Sequence, residues 1–323
     1  MNPIRRLPLR RLLVTAKPTS TFAKSTPTFT RSFSACRPLA LSATQPKAED
    51  SSKGSINIGN SKRLPEFSLK DKVVLVSGAA RGLGLVQAEA LLEAGATVHA
   101  LDRLPTPSPD FTRIQTRATS DLGTSLTYHQ IDVRDVPALN TIIEGIATKH
   151  GRLDGLIAAA GIQQETPALE YSAEDCNTMM SVNVTGCFMT AQAVAKQMVR
   201  LGSRGSIVMI ASMSGTVANR GLICPAYNAS KAAVLQLGRN LASEWGEHGI
   251  RVNTISPGYI VTKMVEDLFV QYPERKEEWP KQNMLGRLSL PEEYRGAAVF
   301  LVSDASSFMT GSDLRIDGGH CAW

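Results

Sequence analysis

The sequence predicts an α/β fold, a single doubly wound parallel sheet with helices on both faces. Three observations carry this. Short runs rich in β-branched residues alternate with stretches of helical periodicity from residue 72 to the end. The runs are apolar on successive residues, as strands buried on both faces must be. A glycine-rich turn joins the first run to the first helical stretch, where such sheets open a crevice for a ligand.

The elements follow in order. VVLVSG (73–78) is the first strand, and a helix then runs to a stop at Gly95. TVHALD (97–102) and YHQID (128–132) are the next strands. VPALNTIIEGIATKHG (136–151) is a helix and LDGLIAAAG (153–161) a strand. Residues 172–202 read as one long helix, broken near Asn183, which is polar in an apolar stretch. SIVMIAS (206–212) is a strand, 226–249 a helix and IRVNTISPG (250–258) a strand. A late helix over 291–306 leads to SDLRIDGG (312–319), which closes the sheet. Right-handed crossovers between parallel strands then place helices on both faces. There is no internal repeat and no further domain boundary after Leu64.

Composition sets the limits. The 323 residues are 43% hydrophobic and 20% charged, which supports a sizeable core and argues against global disorder. No apolar run reaches the roughly 18 residues that span a bilayer. The formal net charge is +6, but nine of the 35 Lys and Arg fall in residues 1–48, before the first acid, Glu49. The remainder holds 26 basic against 29 acidic residues, a net of −3. A basic footprint is therefore missing from the body, and nucleic-acid binding is not expected.

The leader has Arg5, Arg6, Arg10 and Arg11 among leucines, much Ser and Thr, and no acid. That composition predicts a mitochondrial transit peptide over 1–33 and a matrix location, with cleavage after Phe33 in Arg31-Ser32-Phe33-Ser34. Residues 34–65 read as a disordered linker and 66–323 as the folded body. Cys36 lies in the leader. Cys176, Cys187, Cys224 and Cys321 are scattered without a CxxC pair, so buried thiols are expected, with neither disulfide nor metal.

Ser77-Gly78-Ala79-Ala80-Arg81-Gly82-Leu83-Gly84 follows the first strand and opens the first helix. Glycines allow a tight turn, and a helix N-terminus offers N–H groups to a pyrophosphate. Asp102 ends the second strand, 18 residues after Gly84. A carboxylate there binds both ribose hydroxyls of NAD and repels the 2′-phosphate of NADP. Arg81 and Arg103 would serve such a phosphate, which keeps NADP as the alternative. Tyr227 and Lys231 stand four apart on one helix face, so phenol and ammonium can share a site. A free Tyr has a pKa of about 10; a neighbouring cation favours its phenolate and makes it a usable acid and base. Ser212 ends a strand and can hydrogen-bond a substrate carbonyl, with Ser214 as the other candidate.

With these pieces in hand, the chain resembles the short-chain dehydrogenase/reductase family over about residues 67–323. SGAARGLG, HQIDV, AAAG, SVNVTGCF, IASMSG, YNASK, SPGYIVT, GRLSLPEE and IDGG occur in the family's order. ASMSG, with its first Ser fifteen residues before Tyr227, and the DGGHCAW ending resemble the fungal polyol and ketose reductases. The resemblance implies a Rossmann-type sheet and an NAD(P)-dependent oxidoreductase interconverting a polyol and a ketose, such as D-arabinitol/ribulose, mannitol/fructose or xylitol/xylulose. It implies Tyr227 as acid/base, Lys231 lowering its pKa and holding the nicotinamide ribose, Ser212 orienting the substrate oxygen and Asn183 anchoring a relay water. Gly78, Arg81, Gly82, Leu83 and Gly84 would line the pyrophosphate, Asp132 and Val133 the adenine, Ala159 the cofactor through its backbone, and Ile260 and Thr262 the carboxamide. Two departures are evident. Ala158-Ala159-Ala160-Gly161 lacks the family's usual Asn, and Ser77 replaces a usual Thr. The segment 259–287 should cap the substrate. The family's helices over 181–201 and 231–245 imply a homotetramer. Two other readings stay open: a ketoreductase of secondary metabolism with a larger apolar substrate, and a non-catalytic cofactor-binding protein on the same fold.

Overall fold

The computed structural model describes residues 64–323. The transit peptide assigned to 1–33, and all but the last two residues of the linker assigned to 34–65, lie outside the described residues. Among the described residues, seven strands form one parallel sheet. They are β1 (Val73–Ser77), β2 (Thr97–Asp102), β3 (Leu126–Gln130), β4 (Gly155–Ala158), β5 (Gly205–Ile210), β6 (Ile250–Pro257) and β7 (Asp313–Ile316). Their order is β3-β2-β1-β4-β5-β6-β7. The order reverses between β1 and β4, and the crevice for a ligand opens there, at the carboxyl ends of the strands. Ser77 pairs with Leu101 on one side and Ala158 on the other, which brings three strand ends level at that point.

Alternate residues of the strands feed two cores. Leu75, Leu101, Leu156, Ile207, Met209 and Val252 face α3 (Val136–His150), α5 (Cys187–Leu201) and α6 (Pro225–Trp245). Val74, Val76, Val98, Ala100, Ile157 and Val208 face α1 (Gly82–Glu93), α2 (Pro109–Ser120) and α9 (Arg295–Val302). Each Val, Leu, Ile or Met among them taken fully from water contributes roughly 1.5–3 kcal/mol. All five residues of β1 are buried, which explains its unbroken apolar run.

Three elements differ from expectation, and a fourth is broken where the sequence places the break. α2 was not anticipated, because Pro105, Pro107 and Pro109 read as a turn; Pro109 instead starts the helix, and Phe111, Ile114 and Ala118 bury its inner face. β3 starts at Leu126, and Ile131 and Asp132 already belong to the turn that follows it. The long helix over 172–202 is α4 (Ala173–Met180), a π-helical turn (Ser181–Gly186) and α5. The late helix is reduced to α9 with a 3₁₀ turn on each side. The Arg251 guanidinium takes the Leu301 and Ser303 carbonyls at its end, at 2.9 and 3.0 Å, which satisfies groups the helix leaves open.

Three histidines from three elements meet in the core beside β2. His99 Nδ1 lies 2.9 Å from His129 Nε2, and His99 Nε2 lies 3.0 Å from His150 Nε2. Burial, followed by His129, His150 and Lys149, pushes His99 down to about 3. An unfolded His takes up its proton near pH 6.5. Between about 6.5 and about 3 the unfolded chain therefore binds the extra proton, and stability falls as pH falls through that window. One such proton costs about 1.4 kcal/mol per pH unit. Burial lowers His129 and His150 in the same direction. The expected result is a melting temperature that drops on acidification from pH 7 to 5, with a shallower drop in His99→Leu. Identical pH slopes in the two proteins would refute this account.

Candidate active site

The glycine turn is built by close backbone contact. Gly78 and Gly82 have φ of +69° and +60°. A Cβ on Gly78 would lie 2.7 Å from Ala160 N, and one on Gly84 would lie 2.4 Å from Gly78 O. The turn therefore sits directly on the chain leaving β4, where Ala159 N donates to Ser77 O at 3.2 Å. Ala160 N donates to Ser77 Oγ at 3.3 Å, so Ser77 performs a bracing role that needs only a hydroxyl. Arg81 is exposed at the entrance to α1, and Leu83 is half-buried in its first turn.

Asp102 is held by the turn it faces. Its Oδ2 accepts from Ala80 N at 3.0 Å and its Oδ1 from Leu104 N at 3.1 Å. Each oxygen keeps a lone pair for a ribose hydroxyl. Beside it opens a cleft of about 650 Å³ lined by Arg103, Leu104, Gln130, Ile131 and Asp132. Arg103 is exposed, yet it forms part of this wall rather than standing apart from it. Arg134 forks onto the Asp132 carboxylate, at 3.0 Å from Nε to Oδ1, and its hydrogen bonds hold that carboxyl below the usual range. Val133 is buried, and its side chain fills the space that a Cβ on Gly186 would need.

The second group gathers where β5 meets α6. Lys231 stands one turn after Tyr227; its Nζ donates to Ile210 O at 2.8 Å and lies 5.6 Å from the Tyr227 ring centroid. The Ser212 hydroxyl accepts from Ser214 N at 3.1 Å and stands near enough to the Tyr227 phenol to oppose the rise that burial imposes on it. Ser214 is buried in the 3₁₀ turn Met213–Gly215, and no bond joins it to Tyr227 among the described contacts. A Cβ on Gly215 would lie 2.7 Å from the Lys231 carbonyl carbon, so that turn packs against the α6 backbone.

Asn183 braces this cluster. Its Oδ1 accepts from Ile162 N at 2.8 Å, while Nδ2 donates to Ile162 O at 2.9 Å and to Ser230 Oγ at 3.0 Å. Ser230 Oγ in turn donates to Tyr227 O at 2.7 Å. The π-helical turn is what aims this side chain inward, at the chain after β4 and at α6.

The ionisation of the pair differs from expectation. Burial pushes Tyr227 up to about 12, against the opposing influence of Ser212. Burial also pushes Lys231 down to about 8. The ammonium is spent on a carbonyl rather than on the phenol oxygen, so by itself it does not produce a phenolate at neutral pH. An additional positive charge beside the phenol would lower it toward the working range.

The segment after β6 arches back over the strand ends. Val261 N donates to Ser289 O at 2.8 Å, and Ile260 bridges Ser289. Thr262 caps α7 (Lys263–Gln271), accepting from Val265 N at 3.4 Å. Trp279 is buried, stacked on Tyr259 with centroids 4.2 Å apart. Arg275 opens α8 (Arg275–Glu278) and reaches Glu165 on the chain after β4 through two bonds of 2.7 and 2.8 Å. Glu165 was not among the expected site residues. Its partner lies 110 positions away, so no local pattern marks the pair.

Comparison with known proteins places this architecture. The family described as enoyl-(acyl carrier protein) reductase matches residues 78–320. A short-chain dehydrogenase/reductase of Aspergillus versicolor, notP', is 41% identical over 80% of this chain and 89% of its own length. The chain belongs to the short-chain dehydrogenase/reductase family. The D-arabinitol 2-dehydrogenase (ribulose-forming) of Candida tropicalis is 35% identical to it over 80% of this chain and 96% of that enzyme. The crystal structure of a short-chain type dehydrogenase/reductase from Mycobacterium marinum superposes with a TM-score of 0.74 at 36% identity, covering 80% and 99% of the two chains.

Membership makes this short-chain dehydrogenase/reductase an NAD(P)-dependent oxidoreductase. Its residues fit that cofactor. Side chains are excluded at Gly78 and Gly84, where a pyrophosphate needs backbone, and α1 offers its N-terminal N–H groups there. The Asp102 carboxylate faces the same turn beside a cleft large enough for a base. Bound there, the cofactor supplies the hydride acceptor or donor.

Proposed function

We propose that the protein interconverts a polyol and its ketose, with Tyr227 as acid/base. The observation that carries this reading is the convergence of Ser212, Tyr227 and Lys231 at the mouth of the sheet. The 35% identity to a D-arabinitol 2-dehydrogenase supports the substrate class. In oxidation Tyr227 takes the proton from the substrate hydroxyl oxygen, and in reduction it returns it. Ser212 holds that same oxygen against the phenol. Lys231 contributes its buried charge and binds ribose hydroxyls, while Asn183 fixes Ile162 and, through Ser230, the first turn of α6. Gly78, Arg81, Gly82, Leu83 and Gly84 receive the pyrophosphate, Asp132 and Val133 flank the adenine, Ala159 meets the cofactor through its backbone, and Ile260 and Thr262 meet the carboxamide. The test is reduction of NAD or NADP with a panel of pentitols and hexitols against apolar secondary alcohols. Turnover confined to the apolar alcohols would favour a ketoreductase with a larger substrate, and turnover of none a non-catalytic role.

NAD is the proposed cofactor. A 2′-phosphate at Asp102 would set like charges a few ångströms apart, costing about 1–4 kcal/mol at intermediate dielectric, enough for a preference of about tenfold or more. Arg103 on the cleft wall and Arg81 at the turn oppose this. Asp102→Ser is therefore expected to shift kcat/KM toward NADPH by about tenfold. A wild type that already prefers NADPH would show that the arginines set the choice.

Residues 1–33 are proposed as a matrix-targeting leader, on the strength of their arginines and their lack of acids. Failure of isolated mitochondria to take up the chain, or uptake that persists when residues 1–33 are removed, would count against it. A homotetramer is proposed because the family builds one from helices corresponding to α5 and α6. The exposed Val199 on α5 and the exposed Phe308, Leu285 and Trp323 are consistent with apolar surface left for partners. A monomeric mass by light scattering would refute it.

A further inference from the structure

We propose that Glu165 sets substrate specificity: with Arg275 it forms a charge-neutral clamp over the substrate site, which takes hydrogen bonds from an uncharged polyol and turns away an aldonate. An aldonate is the same hydroxylated chain ending in a carboxylate. The inference rests on the polyol reading above and refines it.

Position comes first. Glu165 lies on the chain leaving β4, whose next residue, Thr166, donates its N–H to Ile223 O at 3.0 Å. Ile223, which accepts that bond, directly precedes Cys224. Cys224 is the residue before α6, and Tyr227 is in the first turn of that helix. After burial, the Glu165 carboxylate is the next influence raising the Cys224 thiol, to about 11. Tyr259, at the start of the arch, feels Cys224, Arg275 and Glu165 together. The clamp therefore stands between the arch and the helix that carries the acid/base.

Charge comes second. The two guanidinium–carboxylate bonds are parallel, from Arg275 NH1 to Oε1 at 2.7 Å and from NH2 to Oε2 at 2.8 Å. Only 11% of the Arg275 side chain and 18% of the Glu165 side chain are exposed. The guanidinium also lies over the Tyr272 ring, 4.0 Å from its centroid. The Arg275 charge is thus cancelled by a fixed partner. A substrate carboxylate could reach Arg275 only by displacing Glu165, which would strand a mostly buried carboxylate, or by settling beside it as a like charge. A polyol faces neither cost. Each Glu165 oxygen takes one bond from Arg275 and keeps a lone pair that a hydroxyl can fill.

The test compares D-arabinitol and mannitol with gluconate as substrates, at saturating NAD, in the wild type, in Glu165→Gln, and in a double variant that adds Arg275→Gln. The wild type is expected to favour a polyol over gluconate in kcat/KM by about tenfold or more. Glu165→Gln uncovers the Arg275 charge, so gluconate should gain about tenfold while the polyol KM rises several-fold and its kcat stays within about threefold. The double variant should lose the gluconate gain. A change of equal factor on both substrates in Glu165→Gln would mean a purely structural clamp and would overturn the proposal. A measurement on the wild type alone covers the case in which the variants fail to fold. Gluconate should inhibit polyol oxidation with a Ki about tenfold or more above the polyol KM, and tighter competitive inhibition would overturn the proposal. Similar turnover of polyol and gluconate by the wild type overturns the clamp and leaves the polyol reading standing; activity on apolar alcohols alone overturns both.

Discussion

Tyr227→Phe is expected to lower turnover by about a hundredfold or more, the usual worth of a positioned acid/base. The ring and its contacts stay, so the fold should persist. NADH binding, read by fluorescence or calorimetry, should remain, because the hydroxyl serves the substrate oxygen. Turnover within a few-fold of wild type would remove Tyr227 from the chemistry.

Gly84→Ala should produce the largest loss of cofactor affinity per atom added. Its Cβ would lie 2.4 Å from the Gly78 carbonyl oxygen and 2.9 Å from the Gly78 carbonyl carbon, both backbone atoms that cannot rotate away. Either the turn opens or α1 slides along β1. Overpacking of this kind costs about 1–3 kcal/mol, or about 2–4 °C in melting temperature per kcal/mol. A displaced turn also misplaces the N–H groups offered to the pyrophosphate, so the Kd for NADH should rise by about tenfold or more. An unchanged Kd and melting temperature would show that the turn yields freely.

Sequence made the sheet legible because burial on both faces leaves its mark residue by residue. The five buried positions of β1 are VVLVS, and all four residues of β4, GLIA, are buried as well. The break at Asn183 was legible for the same reason, as a polar residue in an apolar stretch, though its bonds to Ile162 and Ser230 were not. α2 was missed although Phe111, Ile114 and Ala118 have helical spacing, because three prolines masked a helix that one of them starts. Tyr227 and Lys231 were legible because one helix turn relates them. Glu165 with Arg275, and the histidines over β2, β3 and α3, are joined only by tertiary structure. The raised phenol of Tyr227 was not legible either. It follows from desolvation, and from an ammonium engaged elsewhere, which spacing along a helix does not reveal.

Turnover depends on the ionisation of Tyr227. In the structure the phenol stands at about 12 and Lys231 at about 8. Turnover near neutral pH requires the positive charge of the bound, oxidised cofactor to bring the phenol down. The deciding measurement is the initial rate of NADH formation from D-arabinitol or mannitol as a function of pH, in the wild type and in Tyr227→Phe. The wild-type rate is expected to rise through one ionisation well below 12, with that ionisation absent from the residual rate of the variant. NADH formation from no polyol at any pH, or the same ionisation surviving in Tyr227→Phe, would contradict it.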